Sequence, residues 1–285
     1  MALRNVIGID HAVVVVRDLD NAAENWKQLG FTVSPRGTHS AKMGSGNYTI
    51  MLDPDYIELL GVLVETEHNA PTRAMLAKRG EGIERVAFTA VDSAAGAEEI
   101  RARGYEPVGP TDFERPVTMP DGRLSAARFR TFQWPIAEAP GGLRIFACQH
   151  KTRDTVWIPE LMQHANGAKR LRQVLVVSTE PASDAAQLAR MIDREVRPEP
   201  DGAVAVPSGS DRADFMFLTK HQLGQRYPEV SLAGLPERGG AGLVLATSGL
   251  ATAAKAVGSS GVRGAGAVCV TPAAANGTLL VFVED

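Results

Sequence analysis

The sequence predicts an α+β fold of four βαβββ modules, paired into two cup-shaped, strongly curved mixed sheets. The first observation behind this is a recurring order of apolar strand, helix start, small-residue helix, glycine stop and later strands along the 285 residues. The second is a repeated opening pattern. Gly8-Ile9-Asp10-His11 leads into the β-branched run Ala12 to Val16, and Gly82-Ile83-Glu84-Arg85 leads into Val86 to Ala90; both read as buried strands. The third is geometric. A lone module would leave one face of a short curled sheet bare, so modules pair around a shared hollow.

The elements follow in order. Asp18 to Asn21 offer helix-start side chains, Ala22, Ala23, Trp26 and Leu29 recur at helical spacing, and Gly30 stops the helix. Phe31-Thr32-Val33 is expected as the next strand. Asn47 to Leu52 and Tyr56 to Val62 flank a turn at Asp53-Pro54-Asp55. In the second module Val91-Asp92-Ser93 start a helix that Gly104-Tyr105-Glu106-Pro107 close, and Leu143 to Cys148 form the last strand. The third opens at Leu171 to Val177, with a helix from Ser183 to Arg194 and a strand at Phe215 to Leu218. The fourth opens at Gly242 to Ala246, with a helix from Leu250 to Val257 and a strand at Leu279 to Val283. The expected division is 1–150 for the site-bearing pair, 151–170 for a packed linker, and 171–285 for a degenerate, structural pair.

A net charge of −3 carries no polybasic footprint for nucleic acid or an anionic membrane. Cys148 and Cys269 cannot make a disulfide framework, which fits a reducing compartment. No apolar run reaches a membrane span and no leader pattern opens the chain. The expectation is a soluble cytoplasmic protein, monomer or homodimer, whose partner is a small molecule. Gly44-Ser45-Gly46 is followed by no helix start or Lys-Ser/Thr, so no nucleotide cofactor is indicated.

Two residues carry the chemistry. His11 is an imidazole in an otherwise apolar strand, and Glu58 is a carboxylate between Ile57 and Leu59. A buried carboxylate calls for a cation. Together with Leu29-Gly30-Phe31, Arg36-Gly37-Thr38-His39, Asn47, Tyr56 to Leu60, and Cys148-Gln149-His150 followed by Trp157, the opening motif resembles the vicinal oxygen chelate superfamily, in its glyoxalase-like domain family (glyoxalase, bleomycin resistance and extradiol dioxygenase types). The resemblance covers residues 5–165, and the rest only through the repeated unit. It implies a cup in which one residue from each of four strands holds a divalent cation (Zn, Fe, Mn or Ni), with substrate oxygens chelating the open positions.

His11 matches the first ligand position and Glu58 the second. Arg85 stands third, where the superfamily commonly has His. A guanidinium has no lone pair to give, so Arg85 is expected to pair with Glu58 or clamp a substrate carboxylate. The fourth position falls near Cys148-Gln149-His150, where Glu is usual. Gln149 is favoured and His150 follows, with strand parity deciding. His39 and Asn47 belong to a cup-rim loop and can position substrate. Glu58 and His39 are the candidates for proton transfer. Arg115, Arg123, Arg128 and Arg130 flank the second hollow-building hairpin; a solvated strand face is expected, with one of them meeting an anionic ligand as the alternative.

The resemblance implies a lyase, isomerase or ring-cleaving dioxygenase acting on an oxygen-rich metabolite. The arginine at position 85 keeps a metal-free sequestration protein open, and a metal-independent acid/base enzyme using Glu58 as well. In the second half Gln173 and Leu243 stand where His11 stands and the Glu-bearing strand is apolar, so that cup is expected to be filled or apolar.

Overall fold

The computed structural model describes residues 3–264 and 266–285. The first module runs β1 (Val6–Val16), α1 (Leu19–Gln28), β2 (Gly37–Thr38), β3 (Ser45–Met51) and β4 (Tyr56–Val62). A helix α2 (Ala70–Arg79) leads to β5 (Gly82–Ala90), α3 (Ser93–Ala102), β6 (Val108–Thr118), β7 (Leu124–Gln133) and β8 (Arg144–His150). The third module is β9 (Ala168–Val177), α4 (Pro181–Ile192), β10 (Arg197–Pro198), β11 (Val204–Pro207) and β12 (Asp214–Leu218). After α5 (Lys220–Arg226) come β13 (Gly239–Thr247), α6 (Leu250–Val257), β14 (Gly261–Gly264), β15 (Ala267–Val270) and β16 (Leu279–Glu284). Among the described residues the strands form two eight-stranded sheets of matching order, β2-β3-β4-β1-β5-β8-β7-β6 and β10-β11-β12-β9-β13-β16-β15-β14. In both, the opening strands of paired modules meet antiparallel and each closes in parallel on the last strand of its own module.

Local chemistry explains the elements. Asp18 caps α1 by accepting from the Asn21 amide, and Asp92 caps α3 by accepting from Ala94 and Ala95. Phe31 to Val33 differ from expectation: they form no strand. Thr32 donates its amide to His164 Nδ1 at 3.0 Å and its hydroxyl to the Gln163 carbonyl, and the Asn166 amide donates to Gly30 O. Thr32 thus bonds to residues 163–164 and the Phe31 amide donates back to Trp26 O, rather than to a sheet neighbour. Helix α2 was not foreseen; its buried side chains are Thr72 and Leu76.

Side chains alternate across the sheets. The outward faces of both sheets, with α1, α3, α4 and α6, share one core, joined by stacked rings at Phe88–Phe215 and Phe31–Phe282. Gly240 permits a close approach of the two sheets, since a Cβ there would lie 2.6 Å from Ile83 Cβ. The inward faces line the two hollows. The second hollow is packed at one end by Leu223, Val230 and Leu235. Its other end departs from the expectation of a filled or apolar cup. A cavity of about 410 Å³ there is lined by Arg170, Arg172, Gln173, Arg197 and Arg212 among others. Arg197 is paired with Asp214, Arg170 and Arg172 with Asp285, and Arg212 donates to backbone carbonyls of Ile9 and Pro54.

Register also corrects the internal alignment. Gly240 and Gly242 oppose Val176 and Leu175 in β9, as Ile83 and Arg85 oppose Val14 and Val13 in β1. Gly242, rather than Leu243, therefore stands at the site position of the fourth module.

Candidate functional site

The repeated opening motif is a pair of β-bulges. In β1, Ile9 and His11 face Phe88 and Ala87, so Asp10 is an extra residue; in β5, Glu84 is extra in the same way. A bulge lets two neighbouring side chains turn to one face. Ile9 joins the outer core, while Asp10 and His11 both turn toward the cup.

Asp10 is wholly buried. Its Oδ1 accepts from His11 Nδ1 at 2.7 Å and from His150 Nε2 at 2.9 Å, and its Oδ2 accepts from the Thr89 hydroxyl at 2.8 Å. Burial by itself would raise its pKa. The two imidazoles outweigh burial and hold the carboxyl far below the usual carboxylate range. An ionised carboxylate only accepts, so both facing ring nitrogens carry hydrogen. His11 is thereby held with Nδ1–H toward Asp10 and Nε2 toward the cup. Tyr56 stacks on its ring at 4.2 Å and Phe146 meets it edge-on.

His11 Nε2 lies 3.7 Å from Glu58 Oε2. The other Glu58 oxygen accepts from Asn47 Nδ2 at 2.6 Å. Cross-strand pairing puts Thr49 opposite Glu58, so Asn47, Thr49 and Glu58 share the inner face. Arg115 of β6 enters from the far edge of the sheet. It is 9% exposed, and burial lowers its pKa while Tyr56 and Glu58 oppose that effect. His39 sits at the rim, with Nδ1 2.8 Å from the Ser45 hydroxyl. Burial lowers its pKa, countered in part by the Glu58 charge.

Of the residues expected from sequence, His11, Glu58 and Asn47 form one contiguous line, and His150 joins it through Asp10. Arg85 does not reach Glu58. Its Nε donates to Glu84 Oε2 at 2.6 Å and an Nη donates to the Thr72 hydroxyl at 2.9 Å, while Arg144 holds the other Glu84 oxygen at 2.7 Å. Glu84 is 3% exposed; burial favours its neutral form, but the two guanidinium groups hold its pKa below normal. The expected clamp is thus committed to its own buried ion pair.

Gln149 corrects the expected fourth position. It stands on the outward parity of β8, where its Oε1 accepts from the Ser93 amide and its Nε2 donates to Val91 O. Register shows why: Val13 faces Glu58 across β1 and β4, and the matching pair across β5 and β8 is Ala87 and Phe146. The fourth position is therefore Phe146. Sequence reasoning also gave Asp10 no role, although its recurrence as Glu84 in the second module was a signal. Arg115 is one of four arginines expected on a solvated face, with contact to an anionic ligand as the alternative for one of them. Arg128 and Arg130 are in fact paired with Glu114 and Asp112, and only Arg115 turns inward.

The four positions expected to hold an ion are occupied by His11, Glu58, Arg85 and Phe146, of which two can donate to a metal. A catalytic zinc takes three protein ligands and an open position. Asp10, His11 and His150 are a group that can hold an ion, their donor atoms lying within 4.8 Å of one another. One nitrogen of each histidine is already at hydrogen-bond distance from Asp10 Oδ1, and Asp10 Oδ2 is held by the Thr89 hydroxyl, so these donors are spent on one another. The donor set does not fit a substrate-chelating metal.

The family model "Glyoxalase-like domain" matches residues 9–192, nearly two thirds of the chain. The chain belongs to the glyoxalase-like domain family. The match extends past the first cup into β9 and α4, further than the motifs alone suggest. No curated protein matches. Among solved structures, a hypothetical protein from Staphylococcus aureus is 14% identical with a TM-score of 0.70, over 97% of this chain and 99% of that one. A triple mutant of 4-hydroxymandelate synthase from Streptomyces coelicolor is 12% identical with a TM-score of 0.62, over 98% and 93%. Methylmalonyl-CoA epimerase from Mycobacterium tuberculosis is 22% identical with a TM-score of 0.40, over 52% and 92%. The two full-length likenesses show a fold shared across all four modules. No helix among the described residues is long and apolar enough to cross a membrane.

Proposed function

We propose that this glyoxalase-like protein is a small-molecule enzyme whose first cup moves a proton without a metal, in the manner of an isomerase or lyase. The observation that carries it is the line Asp10–His11–Glu58–Asn47, with spacings of 2.7, 3.7 and 2.6 Å. Asn47 pins one Glu58 oxygen, leaving Oε2 toward the cup and His11. Glu58 takes a proton from a substrate carbon or hydroxyl. His11 Nε2 stands beside it to accept that proton and return it to another face or atom, and the Asp10 carboxylate stabilises the imidazolium that forms. His39 at the rim, neutral at pH 7 because burial lowers its pKa, is the second proton carrier. Tyr56, Phe146 and Phe129 exclude water and raise the effect of each charge.

The test is deuterium uptake from D2O into a panel of 2-oxo and 3-oxo acids, followed by proton NMR with chelator-treated protein. The reading requires exchange that survives chelation and falls at least about a hundredfold in Glu58→Gln. Exchange that depends on added metal and persists in that variant contradicts it. A second reading rests on Asp10, His11 and His150 as a metal group. It requires one tightly held ion per chain, lost in His150→Ala.

A further inference from the structure

Resting on that reading of the cup, we propose that Arg115 is the anion anchor of the site, and that the substrate is a small organic carboxylate with an apolar body. Arg115 lines a cavity of about 210 Å³ between the loop at Ser34 to Arg36 and the segment Val156 to Leu161, with Thr49, opposite Glu58 in the sheet, in its lining. Ligand pockets start at roughly 300 Å³, so this one suits a small acid rather than a nucleotide-sized molecule.

Arg115 is nine-tenths buried and, among the described residues, its guanidinium makes no hydrogen bond or ion pair. That is unlike its neighbours on the same hairpin, Arg128 and Arg130, which are half-exposed and paired. It is also unlike Arg85 and Arg144, which are saturated by Glu84. A buried charge without a partner is costly, and folds keep one where a ligand supplies the partner. The nearby polar geometry agrees. Asn47 Oδ1 is buried and unbonded. A single point, where a Cβ on Gly37 would sit, is 2.3 Å from that oxygen and 3.3 Å from Arg115 Nε. Gly37 keeps this space open. Asn47, which holds Glu58, is thus the bridge between anchor and base. A carboxylate on the Arg115 fork leaves the rest of the molecule to run toward Glu58 along Phe113, Phe129 and Tyr56, rings of the inner apolar cluster. Arg presents two parallel N–H groups to a carboxylate, which fixes orientation as well as position.

The experiment uses phenylacetate as probe, its neutral amide phenylacetamide as control, and thermal unfolding plus ligand-observed NMR as readouts at constant ionic strength. Phenylacetate should raise the Tm of the wild type by mass action, and phenylacetamide should not. Arg115→Met should weaken phenylacetate binding about tenfold or more, and Arg115→Lys should retain part of it. Without ligand, Arg115→Met should melt at or above the wild-type Tm, because it removes a buried unpaired charge; a purely structural arginine would give a lower Tm. Glu58→Gln should bind phenylacetate at least as well as the wild type, which separates the anchor from the proton chemistry. Unchanged phenylacetate binding in Arg115→Met, or equal binding of acid and amide by the wild type, overturns the anchor and leaves the Glu58 reading standing. Binding lost in Arg115→Met together with metal-dependent turnover would sink the proton-transfer reading and leave the anchor.

Discussion

Asp55 ends the turn between β3 and β4, and its carboxyl is wholly buried against the start of the second half. Oδ1 accepts from the Leu171 amide at 2.9 Å, and Oδ2 is buried without a partner. Burial pushes its pKa up to about 7 from an ordinary 3.8, against smaller opposing effects of the Leu171 amide and Arg212. The folded state therefore holds a proton that the unfolded chain releases near 3.8. Its stabilising contribution is complete below that pH and is lost as pH rises to about 7. Conversion at 1.36 kcal/mol for each tenfold change gives a loss on the order of 4 kcal/mol. Asp55→Asn keeps the oxygen that Leu171 needs and cannot ionise. Urea unfolding of both proteins from pH 4 to 8 should show the variant gaining on the wild type by roughly 1.4 kcal/mol per pH unit up to about pH 7. The gain should then level off. A difference that stays flat across this range refutes the claim that Asp55 is held protonated in the fold.

Glu84→Gln leaves Arg85 and Arg144 buried against a neutral partner; it should cost about 3–5 kcal/mol in urea unfolding. Gly240→Ala pushes a methyl against Ile83, with Cβ contacts of 2.6 and 2.7 Å, and should cost about 1–3 kcal/mol by the same measurement. Replacing Arg85 by His and Phe146 by Glu together restores four donors at the register positions; equilibrium dialysis should then show zinc uptake into the first cup well above that of the wild type.

The fold was legible because its punctuation is local. Asp18 and Asp92 cap their helices from within four residues, and the Gly-Ile-acid-base motif recurs with its bulge. What stayed hidden was set by contacts across the chain. Phe31 to Val33 have strand-like residues, yet Thr32 bonds to Gln163 and His164 and Phe31 bonds back to Trp26. Gln149 and Phe146 differ by three positions in one strand. Parity turns them to opposite faces, and register in β8 is decided by its pairing with β5. Four arginines on one hairpin look alike in sequence, and only the approach of the two sheet edges at Gly37 sets Arg115 apart. His11 and Glu58 were visible as polar residues in apolar strands. Asp10 was masked by being part of the motif that announced the fold.

The central claim is that Asp10 holds the His11 ring with hydrogen on Nδ1 and a bare Nε2 that faces Glu58 rather than a metal. Long-range nitrogen–proton NMR on histidine-labelled, chelator-treated protein reads this ring directly, before and after one equivalent of zinc. The expected result is an Nδ1–H ring whose Nε2 resonance does not move when zinc is added. A ring protonated at Nε2, or an Nε2 resonance shifted to a metal-bound position by that single equivalent, would contradict it.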